Sequence, residues 1–410
     1  MGTEQRKRLS PAHQNALKNV IRLIPAVVII AAMLNTASCN SNGGIFPEVH
    51  GGGGNTPTAT PTAGTGALAF VTNFNDSKVS SFTRNTMTGV LKRTGQVTAG
   101  AKKGPRGVIA APSGSFLYVA NQSDDNIYEF SVNQTNGTLT PLSPPSVSNG
   151  NNTGPDQLAM NSSGSLLWVT GSKGTVAAYS VNTSTGQITK NSSIGGFNTP
   201  FGIAVLPSAT VSELYVSDTV LGIIQPMSYN TTTGALAKNL PAVTSADPTA
   251  VVPAAIAIDG GGDALFTPDQ GNGEVSSFSI NTTTGALTPI MAVANSSVAD
   301  VPVGIGIGTN NGVEYVFTAN SGGNSVSSFI VTNLTTVISP PTVASGYSAP
   351  KGLIVDPQNL FVYAADSGNG TVSQSIISGS CGSSICSGPT VATENPANPN
   401  SGPFGITLAQ

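Results

Sequence analysis

One seven-residue phrase, NTTTGAL, occurs twice without change, at Asn230–Leu236 and at Asn281–Leu287. Close variants, NTMTGVL, NQTNGTL and NTSTGQI, begin at Asn85, Asn133 and Asn182. These phrases recur at intervals of roughly 49 residues, which is the length of one β-propeller blade. Asn can bond its own turn backbone and Gly supplies a positive φ. The phrase therefore predicts a structural turn between two strands rather than a duplicated working part.

Other phrases keep the same interval and predict the strands of each unit. An X-Pro step before a short apolar strand recurs as GPRGVIA, GPDQLAM, TPFGIAV, VPAAIAI, VPVGIGI, APKGLIV and GPFGITL. A second strand ends in Asn or Asp in most repeats, as in LYVAN and LYVSD, and a third carries the pattern of KVSSFTR and EVSSFSI. A fourth, outer strand follows each Asn…Gly turn. We therefore predict an all-β fold, a seven-bladed β-propeller of four-stranded antiparallel blades over residues 67–410.

The two ends of the repeat region predict how the ring closes. The chain enters at about Ala67 with a second strand that lacks its inner neighbour, and it finishes with GPFGITLAQ, an inner strand that lacks its blade. Pairing these two strands would complete one blade and leave no open sheet edge. The composition is consistent with sheets buried between neighbouring blades, because only 9% of residues are charged, against about 25% in a typical globular domain.

The words FVTN and YVAN, with the repeat interval and the Asn…Gly-Leu turns, resemble the YVTN-repeat propellers of the lactonase-like superfamily, which includes 6-phosphogluconolactonase-like proteins. The resemblance covers Ala67–Gln410. It implies a seven-bladed ring. It also implies that a lactonase of this kind would use His, Arg and acidic side chains around the central channel.

The predicted strand order brings two sets of side chains to the face where the channel opens. Residues that follow the X-Pro steps form one set, and it includes Arg106, Asp156 and Lys351. Second-strand ends form the other, and it includes Asp218, Asp269 and Asp366. Charges of both signs at one mouth could hold a carboxylate or a phosphate. The alternative is that these residues are solvated or structural groups at strand ends.

Catalysis of lactone hydrolysis needs a base to activate water and donors to stabilise the oxyanion. The chain has two histidines, His13 and His50, and both precede the predicted propeller. The leading hypothesis is therefore a non-catalytic binding or scaffold module without cofactor or metal. The alternative is a divergent lactone hydrolase with Asp156 as the base and with Arg106 and Lys351 as anion-holding groups.

The N-terminus predicts export. Basic residues lead into the apolar run LIPAVVIIAAML and then into Ala37-Ser38-Cys39. Such a layout over residues 1–39 is typical of a secretory signal, and Cys39 stands where a bacterial lipoprotein is acylated. Plain secretion or a retained anchor are the alternatives. Residues 40–66, rich in Gly, Pro and Thr, predict a flexible tether.

Two further cysteines, Cys381 and Cys386, flank a short Gly/Ser turn, and an oxidising compartment would favour a disulfide between them. Two unpaired thiols are the alternative.

Basic residues are concentrated in the first repeat. We expect a monomer at the cell envelope whose partner is an envelope protein, a polysaccharide or a small anionic ligand, and which contacts a membrane only through a lipid anchor. One local basic patch does not provide the stripe that nucleic acid requires.

Overall fold

The computed structural model describes residues 67–248, 251–295, 300–332, 336–377, 385–393 and 398–409. These residues form seven four-stranded antiparallel sheets, which are the blades of a β-propeller. The predicted fold class is thereby confirmed. The predicted signal (residues 1–39) with Cys39, the predicted tether (residues 40–66) and Cys381 lie outside the described residues. In the described part of the chain, no helix is long and apolar enough to cross a membrane.

The first four blades have the following strands. Blade 1 contains β1 Leu68–Asn73, β2 Lys78–Arg84, β3 Leu91–Thr98 and β28 Pro403–Ala409. Blade 2 contains β4 Pro105–Ala110, β5 Phe116–Asn121, β6 Asn126–Val132 and β7 Leu139–Ser148. Blade 3 contains β8 Pro155–Met160, β9 Leu166–Gly171, β10 Thr175–Val181 and β11 Ile188–Ile194. Blade 4 contains β12 Pro200–Val205, β13 Glu213–Asp218, β14 Ile223–Tyr229 and β15 Leu236–Ala237.

The last three blades follow in chain order. Blade 5 contains β16 Ala257–Ile258, β17 Ala264–Asp269, β18 Glu274–Ile280 and β19 Leu287–Ala294. Blade 6 contains β20 Pro302–Asn310, β21 Val313–Asn320, β22 Ser325–Thr332 and β23 Thr336–Ser345. Blade 7 contains β24 Pro350–Val355, β25 Phe361–Asp366, β26 Thr371–Ile377 and β27 Ile385–Ala392.

The ring closes in blade 1, as the sequence predicts. The last strand, β28, pairs antiparallel with the first, β1, in the order β28-β1-β2-β3. A buried ion pair ties blade 1 to blade 7: Arg84 Nη1 lies 2.9 Å from Asp356 Oδ2, and both side chains are almost fully buried. The same guanidinium donates through Nη2 to Gln358. Closure therefore combines a strand ladder with a charged contact across the neighbouring seam.

The repeated NTTTGAL phrase is the turn between the third and fourth strands. Asn230 Oδ1 accepts hydrogen bonds from the backbone of Thr232 and Thr233 at 2.9 Å, and Gly234 adopts a φ of 71°. This φ favours glycine because a side chain there would be strained. Leu236 then begins β15. The predicted turn chemistry is confirmed.

The same turns fasten neighbouring blades together. The fourth residue from the end of the second strand is aromatic in every blade, and four of these side chains donate to the carbonyl of the turn glycine in the next blade. The four bonds are Tyr118 to Gly186, Trp168 to Gly234, Tyr215 to Gly285 and Tyr363 to Gly89, at 2.6–2.8 Å. Each of these donors is fully buried. The phrase thus has a second structural role that the sequence analysis did not predict.

Blade 4 departs from the uniform four-strand pattern. Its outer strand β15 has two residues, and the long connection to blade 5 follows it. Pro226 stands in the third strand, where it has no N–H to donate to a neighbour. Side-chain hydrogen bonds connect β14 to the segment after β15: Gln225 donates to the carbonyl of Leu240, and Asn239 accepts from the backbone of Ser228.

Candidate functional site

The inner strands of all seven blades surround one cavity of about 170 Å³ at the axis. Apolar groups of Leu158, Ile203, Ile305, Leu353 and Ile406 supply much of its wall. Among its lining residues, the polar side chains are those of Gln157 and Lys351. The predicted channel therefore exists; most side chains that line it are apolar, and one, Lys351, is charged.

A recurring glycine allows the inner strands around this channel to lie close together. A glycine follows the first residue after the X-Pro step in five blades, as in PRG and PKG. A Cβ added at Gly304 would lie 2.2 Å from Lys351 O, and one at Gly405 would lie 2.3 Å from Arg106 O. Glycine is therefore required there so that neighbouring inner strands can approach closely. The side chains just before these glycines, including Lys351 and Phe404, reach the mouth of the cavity.

Arg106 and Asp156 meet at the rim. These residues hold equivalent positions in blades 2 and 3, and Arg106 Nη1 lies 2.6 Å from Asp156 Oδ2. The guanidinium carbon lies 4.6 Å from the ring centroid of Phe404 and 5.5 Å from that of Phe74. Such placement over two aromatic faces stabilises a cation and fixes its direction. Charges of both signs therefore lie close together here, in an ion pair that the sequence analysis did not predict.

The carboxylate of Asp156 is already occupied. Gln157 Nε2 donates to Oδ1 at 3.1 Å, and Gln122 Nε2 donates to Oδ2 at 3.2 Å, beside the bond from Arg106. Burial raises the pKa of Asp156, while the charge of Arg106 and the bond from Gln157 oppose that rise. A fully buried carboxylate with both oxygens engaged has no free position from which to activate a water molecule.

Lys351 is in a different situation. It is half-buried at the cavity wall, and among the described residues its ammonium has neither an ion pair nor a hydrogen bond. Burial and the nearby positive charge of Arg106 lower its pKa. An unpaired cation in a small cavity is the feature that most directly suggests a bound anion.

The second predicted set does not face the mouth. Asp218, Asp269 and Asp366 are fully buried at the ends of their strands. Asp218 accepts from the backbone of Asn198, Thr199, Val220 and Leu221. Asp269 accepts from Ser276, and Asp366 accepts from Ser373. Their carboxylates are thus engaged inside the blades, which leaves them no exposed surface for a ligand.

A sequence signal for this structural role exists. Ser276 and Ser373 each stand seven residues after the acidic residue, and the same spacing joins Asn73 to Ser80 and Asn320 to Ser327, which are also hydrogen-bonded. Asn and Asp therefore replace one another at a single position of the blade, opposite the first serine of the Ser-Ser-Phe pattern.

No grouping of three His, Cys, Asp or Glu side chains that could hold a metal ion occurs in the described ranges. Cys386 is disulfide-bonded. Since Cys381 is not described, its pairing with Cys386 stays a prediction.

Comparisons with known proteins support the predicted resemblance. A family model described as "Lactonase, 7-bladed beta-propeller" matches residues 63–205. No curated protein matches the chain. Among solved structures, the chain is similar to a periplasmic gluconolactonase of Pseudomonas aeruginosa, with a TM-score of 0.63 and 14% identity over 84% of this chain and 99% of that chain. It is also similar to a candidate 6-phosphogluconolactonase of Bacteroides fragilis, with a TM-score of 0.69 and 16% identity over 85% of this chain and 99% of that chain.

A third similar structure is a functionally unknown protein of Desulfotomaculum acetoxidans, with a TM-score of 0.65 and 12% identity over 83% of this chain and 98% of that chain. Identities this low show a shared fold alone. The fold is therefore that of a seven-bladed β-propeller, as the sequence predicts, and residues 63–205 match the lactonase family model.

Proposed function

We propose that this protein is a binding module that captures a small anionic molecule, a carboxylate or a phosphate, at the mouth of the propeller channel. The observation that carries the proposal is Lys351, whose ammonium lines the cavity without a partner among the described residues. Arg106 stands beside it and is held in place by Asp156, Phe74 and Phe404. Lys351 and Arg106, with the carboxylate of Asp156, leave one net positive charge beside the cavity, which favours an anion over a cationic ligand.

The test is calorimetric titration of the full-length protein with gluconate, 6-phosphogluconate and inorganic phosphate, beside Lys351→Gln and Lys173→Gln. Lys173 is an exposed lysine on the turn after the second strand of blade 3, and it serves as the matched control. Loss of a charged hydrogen bond costs about 1.5–3 kcal/mol, so Lys351→Gln should weaken binding about 10- to 100-fold. Absence of binding to every anion, or equal binding by the three proteins, would refute the proposal.

Lactone hydrolysis is the second candidate, and the family match favours it. It requires a base near the cavity, whereas the oxygens of Asp156 are taken up by Arg106, Gln122 and Gln157. A binding module should bind 6-phosphogluconate without accelerating hydrolysis of glucono- or 6-phosphogluconolactone above the spontaneous rate. Turnover that Asp156→Asn abolishes without loss of folding would establish the hydrolase in its place.

The cellular setting of this module is also a proposal. The sequence of residues 1–39 supports export, and Cys39 supports a lipid anchor at the envelope. Labelling of cells with radioactive palmitate tests the anchor, and Cys39→Ser should abolish the label. A wild-type protein that takes up no label would refute lipid anchoring and leave secretion or a retained apolar anchor.

A further inference from the structure

A buried hydroxyl in the second strand links neighbouring blades at the mouth of the channel. The next-to-last residue of this strand is Thr or Ser in three blades, and its hydroxyl makes the same two hydrogen bonds in each. It accepts from the backbone N–H two residues after the X-Pro proline of its own blade. It also donates to the carbonyl of the residue directly after that proline in the next blade. The three residues are Thr72, Thr170 and Ser217.

Thr72 makes these bonds at the part of the mouth where Arg106 lies. Its hydroxyl accepts from the N–H of Gly405 at 2.8 Å and donates to the carbonyl of Arg106 at 2.6 Å. The side chain of Thr72 is fully buried. Phe404 directly precedes Gly405, and its ring centroid lies 4.6 Å from the guanidinium carbon of Arg106. One hydroxyl therefore fixes the backbone on both sides of this cation–π contact.

The strand that Thr72 holds also borders Lys351. β24, which contains Lys351, lies close against β28, since a Cβ added at Gly352 would lie 2.5 Å from the carbonyl oxygen of Phe404. At this seam, between blades 7 and 1, the position equivalent to Thr72 is Ala365, which has no hydroxyl. The placement of β28 beside Lys351 therefore depends on backbone packing on one side and on the bonds of Thr72 on the other.

We propose that Thr72 is a positioning residue of the anion site, whose hydroxyl holds β28 against β4 and so sets the direction of the Arg106 guanidinium and the cavity wall beside Lys351. This inference rests on the proposed anion-binding function, and Thr72 acts through Arg106 and β28 rather than by contact with the anion. Without the hydroxyl, the N–H of Gly405 and the carbonyl of Arg106 lose a shared partner. Buried polar groups without a partner are costly, so the two strands should shift to find others.

The experiment is calorimetric titration of the full-length protein with 6-phosphogluconate and with inorganic phosphate. Thr72→Val removes the hydroxyl and keeps the shape of the side chain. It should weaken the binding of both anions about 5-fold or more, because hydrogen bonds to a charged group lose strength when they are misaligned. Thr72→Ser keeps the hydroxyl and should restore the affinity to within about 2-fold of the wild type.

Ser217→Ala is the matched control. Ser217 is also fully buried and makes the same pair of bonds, from the N–H of Gly202 at 2.7 Å and to the carbonyl of Ala254 at 2.6 Å. The backbone that it ties carries neither Lys351 nor Arg106. Ser217→Ala should therefore lower the thermal stability by an amount similar to that of Thr72→Val, and it should leave the affinity for both anions within about 2-fold of the wild type.

The outcomes separate the two proposals. A wild-type protein that binds these anions, with Thr72→Val binding them as tightly as Ser217→Ala does, would overturn the positioning role and leave the anion site standing. A loss of affinity that Thr72→Ser does not restore would also overturn the role of the hydroxyl. A folded wild-type protein that binds neither anion would overturn both proposals.

A second variant keeps the test available if Thr72→Val does not fold. Thr72→Ala also removes the hydroxyl, and this chain already carries alanine at the equivalent position of blades 2, 6 and 7, at Ala120, Ala319 and Ala365. The same loss of affinity is expected from it. Retained fluorescence of the buried Trp168 shows that each variant is folded.

Discussion

The hydrogen bonds between aromatic side chains and turn glycines should contribute measurably to the stability of the ring. Tyr215 is fully buried in blade 4, and its hydroxyl donates to Gly285 O in blade 5 at 2.8 Å. Tyr215→Phe keeps the ring and its packing but leaves the carbonyl of Gly285 buried without this donor. An unsatisfied buried acceptor costs about 1–3 kcal/mol, so the free energy of unfolding should fall by that amount.

Urea unfolding followed by tryptophan fluorescence measures this loss, because Trp168 is the single tryptophan and is fully buried. Tyr315→Phe is the matched control: the same atom is removed, but the Tyr315 ring stacks on Phe317 and its hydroxyl has no hydrogen bond among the described residues. If Tyr215→Phe destabilises the protein no more than Tyr315→Phe does, the bond to Gly285 contributes nothing and the reasoning fails.

Three further changes test other parts of the structure. Burial raises the pKa of Asp269 from 3.8 to about 7. Its contribution to stability is therefore full below pH 3.8 and is lost as the pH rises through 7, a loss of at most about 4 kcal/mol. Asp269→Asn should remove this pH dependence, and equal pH profiles of the two proteins in thermal melts would contradict the prediction. Arg84→Met leaves Asp356 buried without its cation and should lower the free energy of unfolding by about 3–5 kcal/mol. The Arg84→Met/Asp356→Asn double variant should recover part of that stability. A single variant with the urea midpoint of the wild type would contradict the closure contact. Deletion of Gly402–Gln410 removes β28 and should cause aggregation in light scattering, whereas a soluble protein with an unchanged cooperative melt would contradict ring closure.

Much of the fold could be predicted because each blade repeats the same local chemistry. Proline opens the inner strand, Asn and Gly make the outer turn, and alternating apolar residues predict strands buried between neighbouring blades. Blade 4 was harder to predict, since the effect of Pro226 depends on which edge of β14 needs a donor. The ion pair between Arg84 and Asp356 was also missed, because it joins residues that only ring closure brings together.

The site was predicted in part. Arg106 and Asp156 are 50 residues apart, about one repeat, so equivalent positions in adjacent blades explain their contact. Position in the repeat says less about direction: Asp269 and Asp366 bond to serines of the third strand, and Asp218 bonds to the backbone of neighbouring loops. For Asp269 and Asp366, the serine seven residues later could have shown this from the sequence alone. The contact of Arg106 with Phe74 depends on the path of a turn that the repeat does not specify.

Anion binding at Lys351 is the central claim, and diffraction from crystals soaked in selenate tests it most directly, because selenium locates the anion by its anomalous signal. The account predicts a peak in the channel with a selenate oxygen about 3 Å from Lys351 Nζ, and no such peak in Lys351→Gln crystals. Peaks confined to exposed lysines such as Lys102 and Lys103, with none in the channel, would contradict it.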